Sequence, residues 1–233
     1  VLGFGELLTL ADLDEEKHDW ASVILHSGRH LLDLVNEVLD ISRIESGDLA
    51  ISVEPIALEP LLTDAYEIVA PLASTRGITL HAPSLDLGSG YILADPQRLK
   101  QVLINLLSNA VKYNRDGGEV TVSRAPGPPD RMRLSVTDTG PGIPAARLDR
   151  LFEPFERLGA ESGRVEGTGL GLALSRQLVT LMDGKIGAET REGEGSTFWI
   201  ELAVAEAPEG VTDDDVLDDV ARGDGPVSRR RVL

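Results

Sequence analysis

The segment from Glu15 to Ser46 has an apolar heptad pattern, and this feature constrains the fold more than any other in the sequence. The pattern predicts one long helix that ends before Gly47, because glycine is favoured just beyond a helix C-terminus. A single helix cannot bury such a seam by itself, so other helices must cover it. The seam consists of Trp20, Ile24, Ser27, Leu31, Leu34, Val38 and Ile41, of which only Ser27 is polar.

A shorter helix is predicted from Val1 to Leu10, and a short turn connects it to the long helix. It begins without a capping residue, as a segment cut from a longer helix would. The two helices form a hairpin, and two hairpins packed as a four-helix bundle would bury the seam. We therefore expect a homodimer through a helical hairpin at residues 1–47.

Residues 48–205 alternate between strand and helix signals. This alternation predicts an α+β fold, a two-layer sandwich in which about three helices cover one face of a mixed sheet. The predicted helices are Leu58–Ala73, Pro96–Lys112 and Leu170–Met182. The predicted strands are Ile51–Val53, Gly77–His81, Glu119–Ser123, Arg131–Asp138, Lys185–Thr190 and Thr197–Val204.

Composition excludes several classes of protein. The 233 residues include 39 acidic and 22 basic side chains, which gives a formal charge of −17. Such a chain lacks the basic face that nucleic acid requires, so no nucleic-acid partner is expected. With no cysteine it can form no disulfide, zinc ribbon or iron–sulfur cluster. No run approaches the roughly 18 apolar residues of a membrane span, so we expect no membrane contact by this fragment.

The C-terminal part of the sequence differs from the rest. Residues 206–228 are acidic and interrupted by proline and glycine, which is typical of a solvated linker. They are followed by Arg229-Arg230-Arg231-Val232-Leu233, basic and then apolar, as at the start of a buried strand. A basic tail is the simpler alternative.

Two asparagines and a lysine lie on one stripe of the predicted helix 96–112. Asn105, Asn109 and Lys112 share the stripe, and Tyr113 lies at its edge. Asparagine is a mediocre helix former, so two on one stripe require an explanation. A solvated helix face is one explanation. A Mg²⁺ site is the other, since amide oxygens suit this cation and Lys112 could reach a phosphate.

A second motif, Asp138-Thr139-Gly140-Pro141-Gly142-Ile143, begins where a predicted strand ends. Asp138 has the same parity as the apolar residues of that strand, and a carboxylate in an apolar layer needs a hydrogen-bond donor. The amine of a purine would be such a donor, and so would a backbone turn. The two glycines permit close backbone approach or positive φ.

A third motif, Gly167-Thr168-Gly169-Leu170-Gly171, leads directly into a predicted helix. Free N–H groups and the positive end of the helix dipole form an anion site there, although a flexible hinge is the alternative. The preceding loop, 158–166, has the composition of a mobile lid, anchored by Phe152 and Phe155. Arg157 could contact a phosphate or form a surface ion pair.

The order of these motifs, over about 70 residues, resembles the ATP-binding domain of sensor histidine kinases. This domain belongs to a wider ATPase group that includes gyrase and the ninety-kilodalton heat-shock chaperone. Residues 1–47 resemble the dimerisation hairpin of the same kinases. The matching boxes are Asn105–Asn109 (N box), Asp138–Gly142 (G1 box), Phe152–Phe155 (F box), Gly167–Gly171 (G2 box) and Gly195-Ser196-Thr197-Phe198 (closing strand).

The resemblance implies a Bergerat-type fold, ATP and Mg²⁺ as cofactors, and transfer of the γ-phosphoryl group to a histidine and then to an aspartate of a receiver domain. It implies Asn109 and Asn105 as metal ligands, and Asp138 as the residue that binds the adenine amine. It also implies a cytoplasmic location, although the full-length protein could be membrane-anchored. The other implied ATP-binding residues are Lys112, Tyr113, Gly140, Gly142, Ile143, Arg157, Gly167, Thr168, Gly169, Leu170 and Gly171.

The family's phosphoacceptor motif, His-Glu/Asp-x-x-x-x-Pro, does not occur in this sequence. By analogy it would lie roughly nine residues before Val1. The four histidines present, His18, His26, His30 and His81, do not replace it. We expect either a chain trimmed at its start or a regulator without its own acceptor.

Two other functions stay open at this stage. One is a non-catalytic adaptor that docks a receiver domain or partner kinase through the hairpin. The other is an ATPase of the gyrase type, but such enzymes have a glutamate four residues before the metal-binding asparagine, where this chain has Asn105. The predicted domains are 1–47 (dimerisation hairpin), 48–205 (ATP-binding domain) and 206–233 (acidic linker that could lead to a receiver domain).

Overall fold

The computed structural model describes residues 1–11, 13–81, 90–156 and 167–207. All but the first two residues of the predicted linker therefore lie outside the described residues, as does the basic C-terminus. The described residues divide into two compact units. The smaller consists of Val1–Ala50 and Phe152–Gln177, and the larger consists of Ile51–Leu151 and the described residues from Leu178 onwards.

The N-terminal hairpin consists of helix α1, Leu2–Thr9, and helix α2, Glu15–Glu45. Asp14 caps the start of α2, because its carboxylate accepts a hydrogen bond from the Lys17 N–H at 3.0 Å. Gly47 follows the helix with a φ of +76°, which suits its predicted place beyond the helix end. The predicted helical hairpin is therefore confirmed.

Most of the predicted heptad seam is exposed in the single chain. Trp20 is 58% exposed and Leu31 is 61% exposed, while Ile24 and Val38 are each 47% exposed. The hairpin thus has an apolar surface that the described part of this chain leaves uncovered. No helix among the described residues is both long enough and apolar enough to cross a membrane.

The larger unit is built on a mixed sheet of seven described strands. In chain order they are β1 Glu54–Ala57, β2 Thr79–Leu80, β3 Tyr91–Ala94, β4 Glu119–Pro126, β5 Arg131–Asp138, β6 Lys185–Arg191 and β7 Gly195–Ala205. Their spatial order is β1-β3-β7-β5-β4-β2, and β6 pairs with β7. The β2–β4 pair is parallel, and the other pairs are antiparallel.

Three described α-helices follow the hairpin: α3 Leu58–Thr75, α4 Pro96–Lys112 and α5 Gly171–Leu181. A short 3-10 helix also lies at Ala145–Arg150. Residues of β5 alternate strictly between half-buried and buried, so one face of the sheet is apolar, and α3 and α4 pack on it. The predicted α+β two-layer sandwich is confirmed. Its most buried side chains include Leu62, Leu99, Leu103, Leu106, Val120 and Ile200.

The first strand lies at Glu54–Ala57 and not at the predicted Ile51–Val53. Residues 51–53 are held by a side chain instead of a neighbouring strand, since the Ser52 N–H donates to the Asp95 carboxylate at 3.0 Å. The strand itself is an edge strand, and Pro55 is tolerated there because an edge leaves one row of N–H groups unpaired.

Two other strands also differ from the prediction. The second strand is limited to Thr79–Leu80, because Gly77, with a φ of +62°, belongs to the turn that ends α3. Strand β3 is missing from the prediction although it is a central strand that pairs with both β1 and β7. Its four residues are too few to show a periodic pattern.

Asp95 connects the start of α4 to the segment before β1, and its removal should destabilise the larger unit. Its buried carboxylate accepts hydrogen bonds from the Arg98 N–H and the Ser52 N–H, both at 3.0 Å. A helix cap is worth about 1 kcal/mol and a buried unpaired N–H costs about 1–3 kcal/mol, so Asp95→Ala should lower the free energy of unfolding by about 2–4 kcal/mol. Urea unfolding followed by circular dichroism measures this loss. Asp95→Asn keeps one acceptor oxygen and should lose less, so equal losses would contradict the assignment.

Candidate functional site

Helix α4 places the two predicted asparagines on a half-buried stripe, away from the buried side of the helix. They lie one turn apart, and the Asn109 Nδ2 donates a hydrogen bond to the Asn105 Oδ1 at 3.3 Å. In this arrangement the amide nitrogen of Asn109 faces Asn105, so its amide oxygen is directed away from that bond. Asn109 can therefore offer its amide oxygen to a ligand.

Arg76 holds the C-terminal end of α4, a role that the sequence analysis missed. Its guanidinium donates to the carbonyl oxygens of Val111 at 2.7 Å, Lys112 at 2.5 Å and Asn114 at 3.0 Å. Carbonyl groups at a helix C-terminus lack partners within the helix, and a cation there also interacts favourably with the helix dipole. Arg76 thereby fixes the backbone at Lys112 and Tyr113. Its only signal in the sequence is a basic residue at the end of the preceding helix.

Asp138 is the last residue of β5, and its side chain is buried, as its parity predicts. Its carboxylate accepts hydrogen bonds from the backbone of Gly140, at 2.8 Å, and of Ser196. Burial raises the pKa of the Asp138 carboxyl, although these two hydrogen bonds act in the opposite direction. A carboxylate can accept about four hydrogen bonds, so Asp138 can bind its own turn and a ligand amine at the same time.

The loop after Asp138 packs against the end of α4. A Cβ atom at Gly140 would lie 2.9 Å from the Tyr113 carbonyl oxygen, so a larger residue would not fit. Beside this contact the buried Asn114 interacts with the Thr139 hydroxyl, with 3.4 Å between the two oxygens. The structure therefore brings the first and second predicted motifs together in one unit.

The second half of that loop packs against the turn between β6 and β7. Gly142 has a φ of +71°, and a Cβ atom there would lie 2.2 Å from the Arg191 carbonyl oxygen. The Ile143 N–H donates to the Thr190 hydroxyl at 2.8 Å. Thr190 is thus a site residue that the sequence analysis missed, and no local motif identifies it.

The third predicted motif belongs to the smaller unit. The Thr168 hydroxyl donates to a carboxylate oxygen of Glu37 at 2.6 Å and accepts from the Leu170 N–H at 3.1 Å. Gly169 has a φ of +75°, and its carbonyl oxygen accepts from the Phe155 N–H at 2.9 Å. The motif is thus an ordered turn in which Gly169 needs its glycine conformation.

The residues around this turn are only partly described. Helix α5 begins at Gly171, so the unpaired first N–H groups of the helix follow the motif directly, while Gly167 at the other end of the motif is half-buried. Arg157 and the predicted lid, 158–166, lie outside the described residues. Of the two predicted aromatic anchors, Phe152 is half-buried, but Phe155 is 67% exposed and is not anchored by packing among the described residues.

The described residues contain no group of three or more His, Cys, Asp or Glu side chains that could hold a metal by themselves. Mg²⁺ needs few protein ligands, however, when phosphate oxygens and water complete its coordination. Two amide side chains one turn apart, Asn105 and Asn109, fit that requirement. The residues present therefore fit Mg²⁺ that is bound together with a phosphate group.

Two family models match the chain. Residues 1–47 match the His Kinase A (phospho-acceptor) domain, and residues 94–206 match the histidine kinase-, DNA gyrase B-, and HSP90-like ATPase. The chain is 37% identical over 213 residues to the sensor protein GacS of Pseudomonas syringae pv. syringae. This alignment covers 90% of this chain and 24% of GacS. It is 42% identical over 192 residues to the circadian input-output histidine kinase CikA of Synechococcus elongatus. This alignment covers 81% of this chain and 25% of CikA.

Solved structures agree with these matches. ShkA full-length in complex with AMPPNP aligns with a TM-score of 0.71 and 36% identity, over 89% of this chain and 43% of that one. The catalytic domain of histidine kinase ThkA aligns with a TM-score of 0.54 and 27% identity, over 65% of this chain and 95% of that one. The chain belongs to the sensor histidine kinase family, which confirms the resemblance seen in the sequence. It spans about a quarter of the length of the curated relatives named above.

Proposed function

We propose that this chain is the catalytic core of a histidine protein kinase in a two-component system. It binds ATP with Mg²⁺ and transfers the γ-phosphoryl group to a histidine that is none of the four in this sequence, from which it passes to an aspartate of a response-regulator receiver domain. Family membership supports this proposal, and so does the related ShkA, whose structure was solved with AMPPNP. The division into residues 1–47, 48–205 and 206–233 is part of the same proposal.

The observation that carries the proposal is the buried carboxylate of Asp138 beside the end of the asparagine-bearing helix. A charged group in an apolar layer is costly unless a donor compensates it, and the amine of adenine is such a donor. Gly140, Gly142 and Ile143 would line the base, because Gly140 lets the loop pack against the end of α4 and Gly142 lets it pack against Arg191. Tyr113, at the C-terminal end of α4, would lie at the edge of the bound nucleotide.

The phosphate groups need donors and cations, because the chain as a whole carries a charge of −17. Asn109 and Asn105 would hold Mg²⁺, which when bound neutralises charge on the phosphate oxygens. Lys112 and Arg157 would contact phosphate or ribose oxygens as cations. The backbone N–H groups of residues 167–171 would bind phosphate at the start of α5.

This chain should bind an ATP analogue but should not phosphorylate itself. None of its histidines lies in the family's acceptor motif, and the His81 Nε2 already makes a hydrogen bond with the Glu119 carboxylate at 3.1 Å. Incubation with γ-labelled ATP and Mg²⁺, followed by mass analysis of peptides, measures self-labelling. Label at His26 or His30 would contradict this part of the proposal.

The exposed heptad seam should be a homodimer interface. Leu31 lies in the middle of the seam and is 61% exposed, so a charge there would have to be buried on association. We expect sedimentation equilibrium to show a dimer for the unmodified chain and a monomer for Leu31→Glu. Ser22→Glu, on the exposed outer side of α2, is the matched control and should stay dimeric. A monomeric unmodified chain would contradict the proposed interface.

A further inference from the structure

A polar row crosses three adjacent strands beside Asp138. The register pairs Asp138 of β5 with Ser196 of β7, and Ser196 with Thr190 of β6. Residues directly opposite each other in antiparallel strands point to the same side, so all three side chains lie on the face of the sheet that the helices cover. Asp138 and Ser196 are buried, and Thr190 is half-buried.

The Thr190 hydroxyl makes three contacts. It accepts from the Ile143 N–H at 2.8 Å, lies 3.0 Å from the Gly195 carbonyl oxygen, and lies 3.1 Å from the Ser196 hydroxyl. A hydroxyl has one proton to donate and can accept two hydrogen bonds. All three contacts are therefore satisfied together only if Thr190 donates to Gly195 and accepts from Ser196. Ser196 has then used its only proton and can offer any further partner only an acceptor.

The turn between β6 and β7, which begins next to Thr190, also holds the backbone of the loop that follows Asp138. The Gly193 N–H donates to the Pro141 carbonyl oxygen at 2.7 Å. Gly142 lies so close to Arg191 that there is no space for a Cβ atom between them. The hydroxyl of Thr190 thus bonds the loop at the point where the loop packs against the β6–β7 turn.

We propose that Thr190 is a positioning residue that makes the base site accept 6-amino purines such as adenine and reject 6-oxo purines such as guanine. The inference rests on the proposed function, because it concerns the same nucleotide. Thr190 fixes the backbone at Ile143 and directs the proton of Ser196 away from the base, so Asp138 and Ser196 offer acceptors side by side. The amine at position 6 of adenine has two protons, one for each acceptor, whereas guanine has a carbonyl oxygen at that position, which two acceptors would repel.

The test compares the dissociation constants of ATP and GTP, each with Mg²⁺, by calorimetry on the 233-residue chain. Thr190→Val keeps the shape but removes the hydroxyl, and should weaken ATP about tenfold and lower the preference for ATP over GTP about fivefold. Thr190→Ser restores the hydroxyl and should retain both values within about twofold. Thr137→Val is the matched control, because Thr137 bonds the Thr197 hydroxyl at 2.9 Å on the opposite face of the sheet, and it should leave the preference unchanged.

If Thr190→Val keeps the preference for ATP over GTP, or weakens the binding of both nucleotides equally, the inference is overturned while the proposed function stays intact. If the unmodified chain binds neither nucleotide, the proposed function falls and the inference falls with it. If Thr190→Val does not fold, Thr190→Ala takes its place, with a fall in preference of about threefold or more expected. Amide hydrogen exchange at Ile143 should be faster in that variant, and unchanged exchange would overturn the inference.

Discussion

Asp138→Asn should weaken ATP binding about 10- to 100-fold, because a hydrogen bond to a charged group is worth about 1.5–3 kcal/mol. An asparagine has one amide oxygen and one amide nitrogen. If its oxygen keeps the bond to the Gly140 N–H, its nitrogen faces the adenine amine, donor against donor. If the amide turns over, its nitrogen faces the Gly140 N–H, so two donors meet there and the turn that holds the base site loses a hydrogen bond. Calorimetry with an ATP analogue measures the loss.

The same substitution should leave the protein folded and change its stability with pH. Burial raises the pKa of Asp138 above the ordinary 3.8, so the folded state keeps this proton to higher pH than the unfolded state does. The stability that this proton contributes is present in full at low pH and is lost as the pH rises through the folded-state pKa. The melting temperature of Asp138→Asn minus that of the unmodified chain should therefore increase with pH over that range.

Asp130→Asn is the matched control for the binding measurement, because Asp130 is an exposed residue in the turn between β4 and β5. Asn tolerates its φ of +61° well, so this variant should stay folded and bind ATP normally. Normal ATP binding by Asp138→Asn would remove the base-binding role of Asp138. A difference in melting temperature that falls with rising pH would contradict the stated effect of burial.

Asn109→Ala should remove most of the effect of Mg²⁺ on ATP binding. With Mg²⁺ present we expect a loss of about tenfold or more, since an amide ligand to the cation disappears. With a chelator in place of Mg²⁺ the variant and the unmodified chain should bind ATP about equally well, within about twofold. Calorimetric titrations in the two conditions measure the difference.

Helix α4 should survive this change, because alanine is a better helix former than asparagine. Ser108→Ala is the matched control: its hydroxyl donates to the Asn105 carbonyl oxygen at 3.1 Å on the same helix, and its loss should leave the Mg²⁺ effect intact. Asn109→Asp keeps an oxygen ligand and should retain part of the Mg²⁺ effect. An unchanged Mg²⁺ effect in Asn109→Ala would show that this asparagine does not bind the metal.

The sequence was most informative where the determinants of an element lie within the element itself. Helix α4 has its cap, Asp95, and its first-turn proline, Pro96, next to an amphipathic stretch, and its predicted bounds match the structure. Strand β5 alternates over eight residues, so its bounds and the burial of Asp138 were both predictable. The asparagine stripe of α4 and the motif that begins at Asp138 could be predicted for the same reason, because each belongs to one of these two elements.

The features that the sequence did not predict depend on contacts between residues far apart in the chain. Arg76 acts on carbonyl groups 35 to 38 residues away, and Thr190 bonds the Ile143 N–H across 47 residues. Strand β3 is a strand because β1 and β7 pair with it, and its own four residues show no period. The predicted strand at Ile51–Val53 was wrong because a side chain, Asp95, binds that backbone.

One measurement tests the central claim most directly: calorimetric titration of the 233-residue chain with a non-hydrolysable ATP analogue, once with Mg²⁺ and once with a chelator. We expect saturable binding at one site per chain with Mg²⁺, weakened about tenfold or more without it. A folded chain that gives no saturable heat in either condition would contradict the nucleotide site and leave the adaptor function as the better description.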